Sequence, residues 1–174
     1  MDNHIPAEFA RTLFAPRDDS FKLEGIVTVR KRFLDGKVVT HFQETKNLIT
    51  NSGKLIALRT LYSGGLAPDP IQFAKVGNGG AFDIDGLLLR TPTPDLTDLY
   101  SPLATVGVSK VSENPLEPSI TLVASVDNSQ ANGTKINEAG FFSASGAMFN
   151  IKTFPGTLKD NSFSLDFEWK IKVV

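Results

Sequence analysis

The stretch FSLDFEWKIKV, residues 163–173, alternates apolar and polar side chains without a break. Because successive side chains of a β-strand point to opposite faces, this period of two predicts a strand with one buried face and one polar face. Eleven residues of strand extend over roughly 36 Å, which is long for a chain of this size. The predicted buried parity comprises Phe163, Leu165, Phe167, Trp169, Ile171 and Val173.

The same alternation occurs on both sides of Asp35-Gly36, a dipeptide that favours a two-residue type I′ turn between antiparallel strands. In the register set by such a turn, the apolar side chains of both strands lie on one face, so the pattern and the turn agree. The predicted cross-strand pairs are Phe33–Val38, Lys31–Thr40 and Val29–Phe42.

One segment has the spacing of a helix, predicted over about residues 52–62. Asn51-Ser52 offers an N-cap, and Gly64-Gly65 ends the segment. Leu55, Leu58 and Tyr62 recur at i, i+3 and i+7 and are predicted to face the sheet. Further strands are predicted at Ile71–Val76, Val106–Val111 and Ile120–Val126, with a hairpin from Ile136 to Phe154 around Ser145-Gly146. Glu138, just before Gly140, is expected to accept a turn N–H or to bind a neighbour's arginine, and the turn role is favoured.

These elements predict an all-β fold, an antiparallel β-sandwich of roughly seven to nine strands with one short helix. A chain of 174 residues has room for one domain, which we assign to residues 21–174, preceded by an N-terminal arm at residues 1–20. Glu8–Phe14 makes the arm amphipathic. Such a segment either packs on its own domain or docks on a neighbouring subunit.

Composition excludes several classes of function. The chain has no cysteine and a net charge of -1, with no basic region that could neutralise a phosphate backbone, so we expect no nucleic-acid partner. No run of apolar residues approaches the roughly 20 that span a bilayer, so we expect no membrane partner.

No motif assembles an active site or a cofactor site. Gly77-Asn78-Gly79-Gly80 lacks the third glycine of a dinucleotide-binding loop, because that position is Phe82. The aspartates from Asp83 onward do not follow the calcium-binding EF-hand spacing. His4 lies in the arm and His41 on a polar strand face, so neither is placed as a general base. We therefore expect no catalytic residue, cofactor or metal, and no enzymatic activity.

The chain contains three apolar clusters, which is more apolar surface than one small sandwich easily buries in its core. These clusters are therefore candidates for an interface. They predict a homo-oligomer on a closed ring or three-fold axis, a trimer or a hexamer, with residues 1–20 crossing to a neighbour. The clusters are Phe9, Leu13 and Phe14 in the arm, Leu87, Leu88 and Leu89 in a loop, and the adjacent Phe141 and Phe142, which point to opposite faces of one strand.

Three segments follow one another in a distinctive order: a helix start at Asn51–Ala57, a strand with a glycine turn at Phe73–Gly79, and a hairpin segment at Ile136–Gly146. Their order resembles that in the tail-fibre and baseplate proteins of tailed bacteriophages, whose hairpin segment has the pattern I-x-E-x-G-L-F. The resemblance implies a non-enzymatic virion protein, a short fibre-attachment, collar or baseplate piece that contacts other tail proteins. It implies localisation in the virion tail after assembly in the host cytoplasm, and it favours a trimer.

A carbohydrate-binding β-sandwich is the alternative function, with Trp169 or Tyr100 as the aromatic that stacks on a sugar. The parity of Trp169 places it among apolar neighbours, which predicts core burial instead.

Overall fold

A computed structural model describes residues 22–61 and 68–174 of the chain. The described residues form nine strands and one helix, α1 (Asn51–Leu61). The predicted arm, Tyr62 and the predicted helix end at Gly64-Gly65 lie outside the described residues. The strands are β1 (Leu23–Phe33), β2 (Val38–Lys46), β3 (Leu48–Ile49), β4 (Ile71–Gly77), β5 (Pro102–Asn114), β6 (Ser119–Val126), β7 (Lys135–Ser143), β8 (Met148–Leu158) and β9 (Phe163–Val173).

All neighbouring strands are antiparallel, in the order β2-β1-β9-β6-β5-β4-β7-β8-β3. The first half of β5 pairs with β4 and its second half pairs with β6, so this long strand joins the two layers. At the other end the layers meet where the Asn47 N–H donates to the Gly25 carbonyl at 3.0 Å. The predicted antiparallel β-sandwich with one short helix is confirmed.

Aromatic side chains fill the space between the layers. The rings of Phe141 on β7 and Trp169 on β9 lie 4.4 Å apart between centroids, and those of Phe154 and Phe167 lie 5.8 Å apart. Burial follows the alternation predicted for the apolar side chains of β9 from Phe163 to Ile171, of which Leu165, Phe167 and Trp169 are fully buried. Two positions differ: Val173, at the end of the strand, is exposed, and Asp166 is buried because it bonds to Arg32 and Ser125. The prediction that Trp169 belongs to the core is confirmed.

The hairpin between β1 and β2 differs from the predicted one at its turn. Arg32, not Phe33, pairs with Val38, and Lys31 pairs with Val39. The Phe33 N–H donates to the Lys37 carbonyl at 2.8 Å and so closes a three-residue loop, 34–36, in which Gly36 alone has a positive φ, 86°. Asp-Gly suits this loop, a type I turn followed by a left-handed glycine, as well as the two-residue turn. A bulge between Val29 and Arg30 then restores the predicted pairing of Val29 with Phe42.

Helix α1 packs on β8 through a face that includes Gly53 and Ile56. Thr50, not Asn51-Ser52, caps it: the Thr50 Oγ1 accepts the N–H of Gly53 at 3.0 Å. Gly53 and Ile56 are buried, whereas Leu55 and Leu58 are exposed, so the predicted stripe is wrong for both leucines. The reason is a close approach: a Cβ on Gly53 would lie 2.1 Å from the backbone oxygen of the neighbouring strand.

Candidate interaction site

A buried carboxylate fastens the glycine turn after β4. Glu138 on β7 is fully buried and accepts three backbone hydrogen bonds, from Gly79 at 3.0 Å, Tyr100 at 3.0 Å and Ser101 at 2.8 Å. We call Glu138 with these three N–H groups the carboxylate clasp. Its bonds confirm the expectation that Glu138 satisfies turn N–H groups, and they join β7 to two loops that are distant in sequence.

The glycines of this turn allow its backbone to pack closely against neighbouring segments. A Cβ on Gly79 would lie 2.7 Å from the Ser101 nitrogen, so only glycine fits there without a shift of the backbone. The N–H of Gly80 donates to the Asn137 side chain at 2.7 Å. Because the N–H groups of Gly79 and Gly80 already have partners within the chain, they are not presented to a phosphate group.

The clasp fixes the base of the loop that follows, residues 81–90. The Arg90 N–H donates to the Gly80 carbonyl at 2.9 Å, which brings the two ends of the loop together. Within the loop, the Asp83 carboxylate accepts the N–H groups of Leu88 at 2.7 Å and Leu87 at 3.1 Å. These hydrogen bonds lower the pKa of Asp83 below its usual value, and the bond from the Leu88 N–H has the largest effect.

The tip of this loop exposes apolar side chains. The exposed fractions are 65% for Phe82, 91% for Ile84, 73% for Leu87 and 62% for Leu88. We call these four side chains the apolar loop surface. Since the other described residues leave them exposed, they form an apolar patch on the described surface. Leu89 is half-buried and pairs with Ala81 in an isolated bridge.

Arg90 lies beside the apolar loop surface and contacts two aromatic rings. Its guanidinium carbon is 4.4 Å from the ring centroid of Phe82 and 5.1 Å from that of Tyr100. Burial raises the pKa of the Tyr100 phenol above its usual value. Arg90 thus lies over one face of the Tyr100 ring, and Trp169, the other aromatic considered for sugar stacking, is fully buried.

The chain was compared with known protein families, with curated proteins and with solved structures. None of them matches this chain. Function is therefore argued from the chain's own residues.

The predicted interface residues fall into three groups. Leu87 and Leu88 are exposed and belong to the apolar loop surface, whose other members, Phe82 and Ile84, the sequence interpretation missed because Asp83 separates them. Phe9, Leu13 and Phe14 lie outside the described residues. Phe141 and Phe142 are each fully buried within the chain.

The two adjacent phenylalanines do point to opposite faces of β7, as predicted. Phe141 lies in the core between the layers. Phe142 stacks on Phe73 with centroids 5.4 Å apart, in a second cluster with Leu99, Met148 and Ile151. The outer face of β7 is thus covered by the chain's own loop, which accounts for Phe142 without a second subunit.

Among residues 22–61 and 68–174, no cluster of three or more His, Cys, Asp or Glu side chains is placed to hold a metal ion. The His41 Nε2 lies 2.9 Å from the Pro155 carbonyl oxygen. Asp166 and Glu168 form cross-strand ion pairs with Arg32 at 2.7 Å and Arg30 at 2.6 Å.

No helix within the described part of the chain has the length and apolar character that crossing a membrane requires.

Proposed function

We propose that this chain is a non-enzymatic structural protein of a tailed-phage virion, assembled in the host cytoplasm into the tail, baseplate or fibre-attachment region, with other tail proteins as its partners. The observation that carries the proposal is the carboxylate clasp. Glu138 lies in one motif segment of the resemblance, Ile136–Gly146, and it binds Gly79, which lies in another, Phe73–Gly79. The two segments therefore act as one structural unit.

The third motif segment belongs to the same neighbourhood. Asn51–Ala57 is the start of α1, and its Gly53 packs against β8, the strand beside β7. Sequence motifs that lie between about 16 and 79 residues apart thus converge on one layer of the sandwich. Such convergence supports a shared structural role for the motifs, since unrelated turn glycines have no reason to meet.

The apolar loop surface supports assembly into a homo-oligomer, for which we propose a trimer. Its loop is held at both ends by backbone bonds, so little conformational entropy is lost when it enters an interface. The net charge of -1 adds little repulsion between copies. A hexamer is the other closed assembly that the same surface allows.

Location in the virion is tested by imaging the parent particle. Antibodies against the recombinant chain, coupled to gold, are applied to purified particles, with pre-immune serum as the control. We expect label at a symmetric position of the tail. Purified particles that contain no trace of this chain by mass spectrometry would refute the proposal.

Assembly is tested by light scattering after size exclusion, on the full chain at tens of micromolar. We expect three times the 18.9-kDa chain mass. The double variant Leu87→Ser/Leu88→Ser should lower this mass, whereas Leu116→Ser, which changes an exposed leucine in the β5–β6 turn, should leave it unchanged. A wild-type chain that stays monomeric under these conditions contradicts the homo-oligomer.

A further inference from the structure

A groove of about 520 Å³ lies where the described chain begins, between the start of β1, the β3 segment and helix α1. Its apolar wall is formed by Leu23, Leu48, Ile49 and Leu58. Leu58 is 52% exposed although it belongs to a helix that packs on the sheet. A volume of this size matches the clefts that enclose a drug-sized molecule, and so it accommodates a few apolar side chains.

The rim of the groove is basic. Lys22, Lys46 and Lys54 line it together with one acidic residue, Glu24. Glu24 already forms ion pairs with Lys46 and, at 3.2 Å, with Lys172. The groove therefore combines an apolar wall with an excess of positive charge, which suits an occupant that is apolar and acidic.

Residues 1–20, which precede the groove-lining residues in the sequence, are both apolar and acidic. Residues 1–20 carry four acidic side chains and two arginines, and their apolar residues include Phe9, Leu13 and Phe14. Lys22, the first described residue, itself lines the groove. Eight residues lie between Leu13 and Lys22, and the nine Cα–Cα steps span up to about 30 Å when the chain is extended, so the segment reaches the groove without strain.

We propose that Glu8–Phe14 packs into the groove of its own chain, with Phe9, Leu13 and Phe14 against the apolar wall and Glu8 toward the lysines. A tether this short gives an effective concentration in the millimolar range, so the chain's own segment outcompetes that of a neighbour. The sequence pattern predicts that residues 1–20 cross to a neighbour, whereas the groove favours packing on the arm's own domain. This docking is intramolecular and does not depend on the virion function proposed above.

Disulfide trapping tests the proposal directly, because the chain has no cysteine of its own. The full chain is prepared as Leu13→Cys/Leu58→Cys and, as the matched control, as Leu13→Cys/Leu55→Cys. Leu55 is an exposed leucine of the same helix that does not line the groove. We expect the Leu58 pair to form an intramolecular disulfide at least about tenfold faster than the Leu55 pair, because bridging needs close Cβ atoms.

Equal rates for the two pairs would overturn the proposal. A product linked only between chains would also overturn it, since the occupant would then be the segment of a second copy. Non-reducing gels of samples oxidised at low micromolar concentration distinguish these products.

Proteolysis gives a second readout that needs no cysteine. Arg11 lies between Phe9 and Leu13, so docking should shield it from trypsin. Leu58→Glu should raise the cleavage rate at Arg11 about tenfold or more, since a charge replaces a packed leucine. Leu55→Glu is the control and should leave the rate unchanged. Cleavage at Arg11 that is equally fast in the wild type and both variants refutes the docking, and circular dichroism confirms that each variant is folded.

Discussion

Glu138 is predicted to be the most sensitive single carboxylate of the described chain. Its side chain is fully buried and accepts the N–H groups of Gly79, Tyr100 and Ser101. Glu138→Ala removes the acceptor for all three donors at once. Each buried donor left without an acceptor costs about 1–3 kcal/mol. Water that enters the cavity left by the side chain can bind some of the three donors and so reduces the total cost. We therefore expect a loss of about 4 kcal/mol in the free energy of unfolding.

Glu138→Gln separates hydrogen bonding from volume. The amide oxygen can take the position of Oε1, which accepts from Gly79 and Ser101, but the amide nitrogen then faces the Tyr100 N–H. One charge-assisted bond is lost and two donors oppose each other, so we expect a loss of about 2 kcal/mol. The glutamine variant should therefore lie between the wild type and Glu138→Ala.

Urea unfolding, followed by the fluorescence of the single buried Trp169, measures these losses. With an m-value of about 2 kcal/mol/M, the midpoint should fall by about 1 M for Glu138→Gln and by about 2 M for Glu138→Ala. Glu113→Gln removes an exposed carboxylate that pairs with Lys110, and its midpoint should move by less than about 0.25 M. A Glu138→Gln midpoint within that margin of the wild type would refute the clasp as a stabilising contact.

Further predictions concern the outer cluster, the helix contact and the loop. Phe142→Ala should lower the free energy of unfolding by about 3–5 kcal/mol in the same urea assay, whereas Phe82→Ala, at an exposed position, should change it by less than about 0.5 kcal/mol. Gly53→Ala should destabilise the protein by about 2 kcal/mol or more, because its Cβ would lie 2.1 Å from a backbone oxygen; an unchanged thermal midpoint would contradict this packing. The lowered pKa of Asp83 means that its ionised form stabilises the loop above pH 3.8 and that this contribution is lost as the pH falls through the folded-state pKa. Amide exchange at Leu88, corrected for its intrinsic pH dependence, should then accelerate on acidification, and Asp83→Asn should abolish that acceleration.

The features predicted correctly from the sequence are those that a short-range pattern encodes. The alternation of β9 specified which apolar side chains from Phe163 to Ile171 are buried, and the turn at Ser145-Gly146 specified the β7–β8 hairpin. The turn at Asp35-Gly36 was identified, but its length was not, because the same dipeptide serves two-residue and three-residue loops. A bulge then compensates for the difference.

The features that the sequence did not reveal depend on contacts between distant segments. Hydropathy predicted that α1 buries its leucines, but the helix is seated by Gly53, whose missing side chain allows close approach to β8. Glu138 was assigned to a turn N–H, whereas its bonds to Tyr100 and Ser101 span 38 and 37 residues and have no local signature. The apolar loop surface was predicted only at Leu87 and Leu88, because no periodicity connects Phe82 with Ile84 in a loop.

The clasp and the apolar loop surface are two parts of one arrangement. Gly80, the residue before the loop, donates its N–H to the Asn137 side chain, and its carbonyl accepts the N–H of Arg90. Both ends of the loop are therefore fixed next to the clasp. Asp83 then fixes the tip through two backbone bonds. An exposed apolar loop with a rigid base loses less entropy on association than a flexible one. Loosening the base through Glu138→Gln should therefore weaken both stability and assembly, whereas changing Leu87 at the tip should weaken assembly alone.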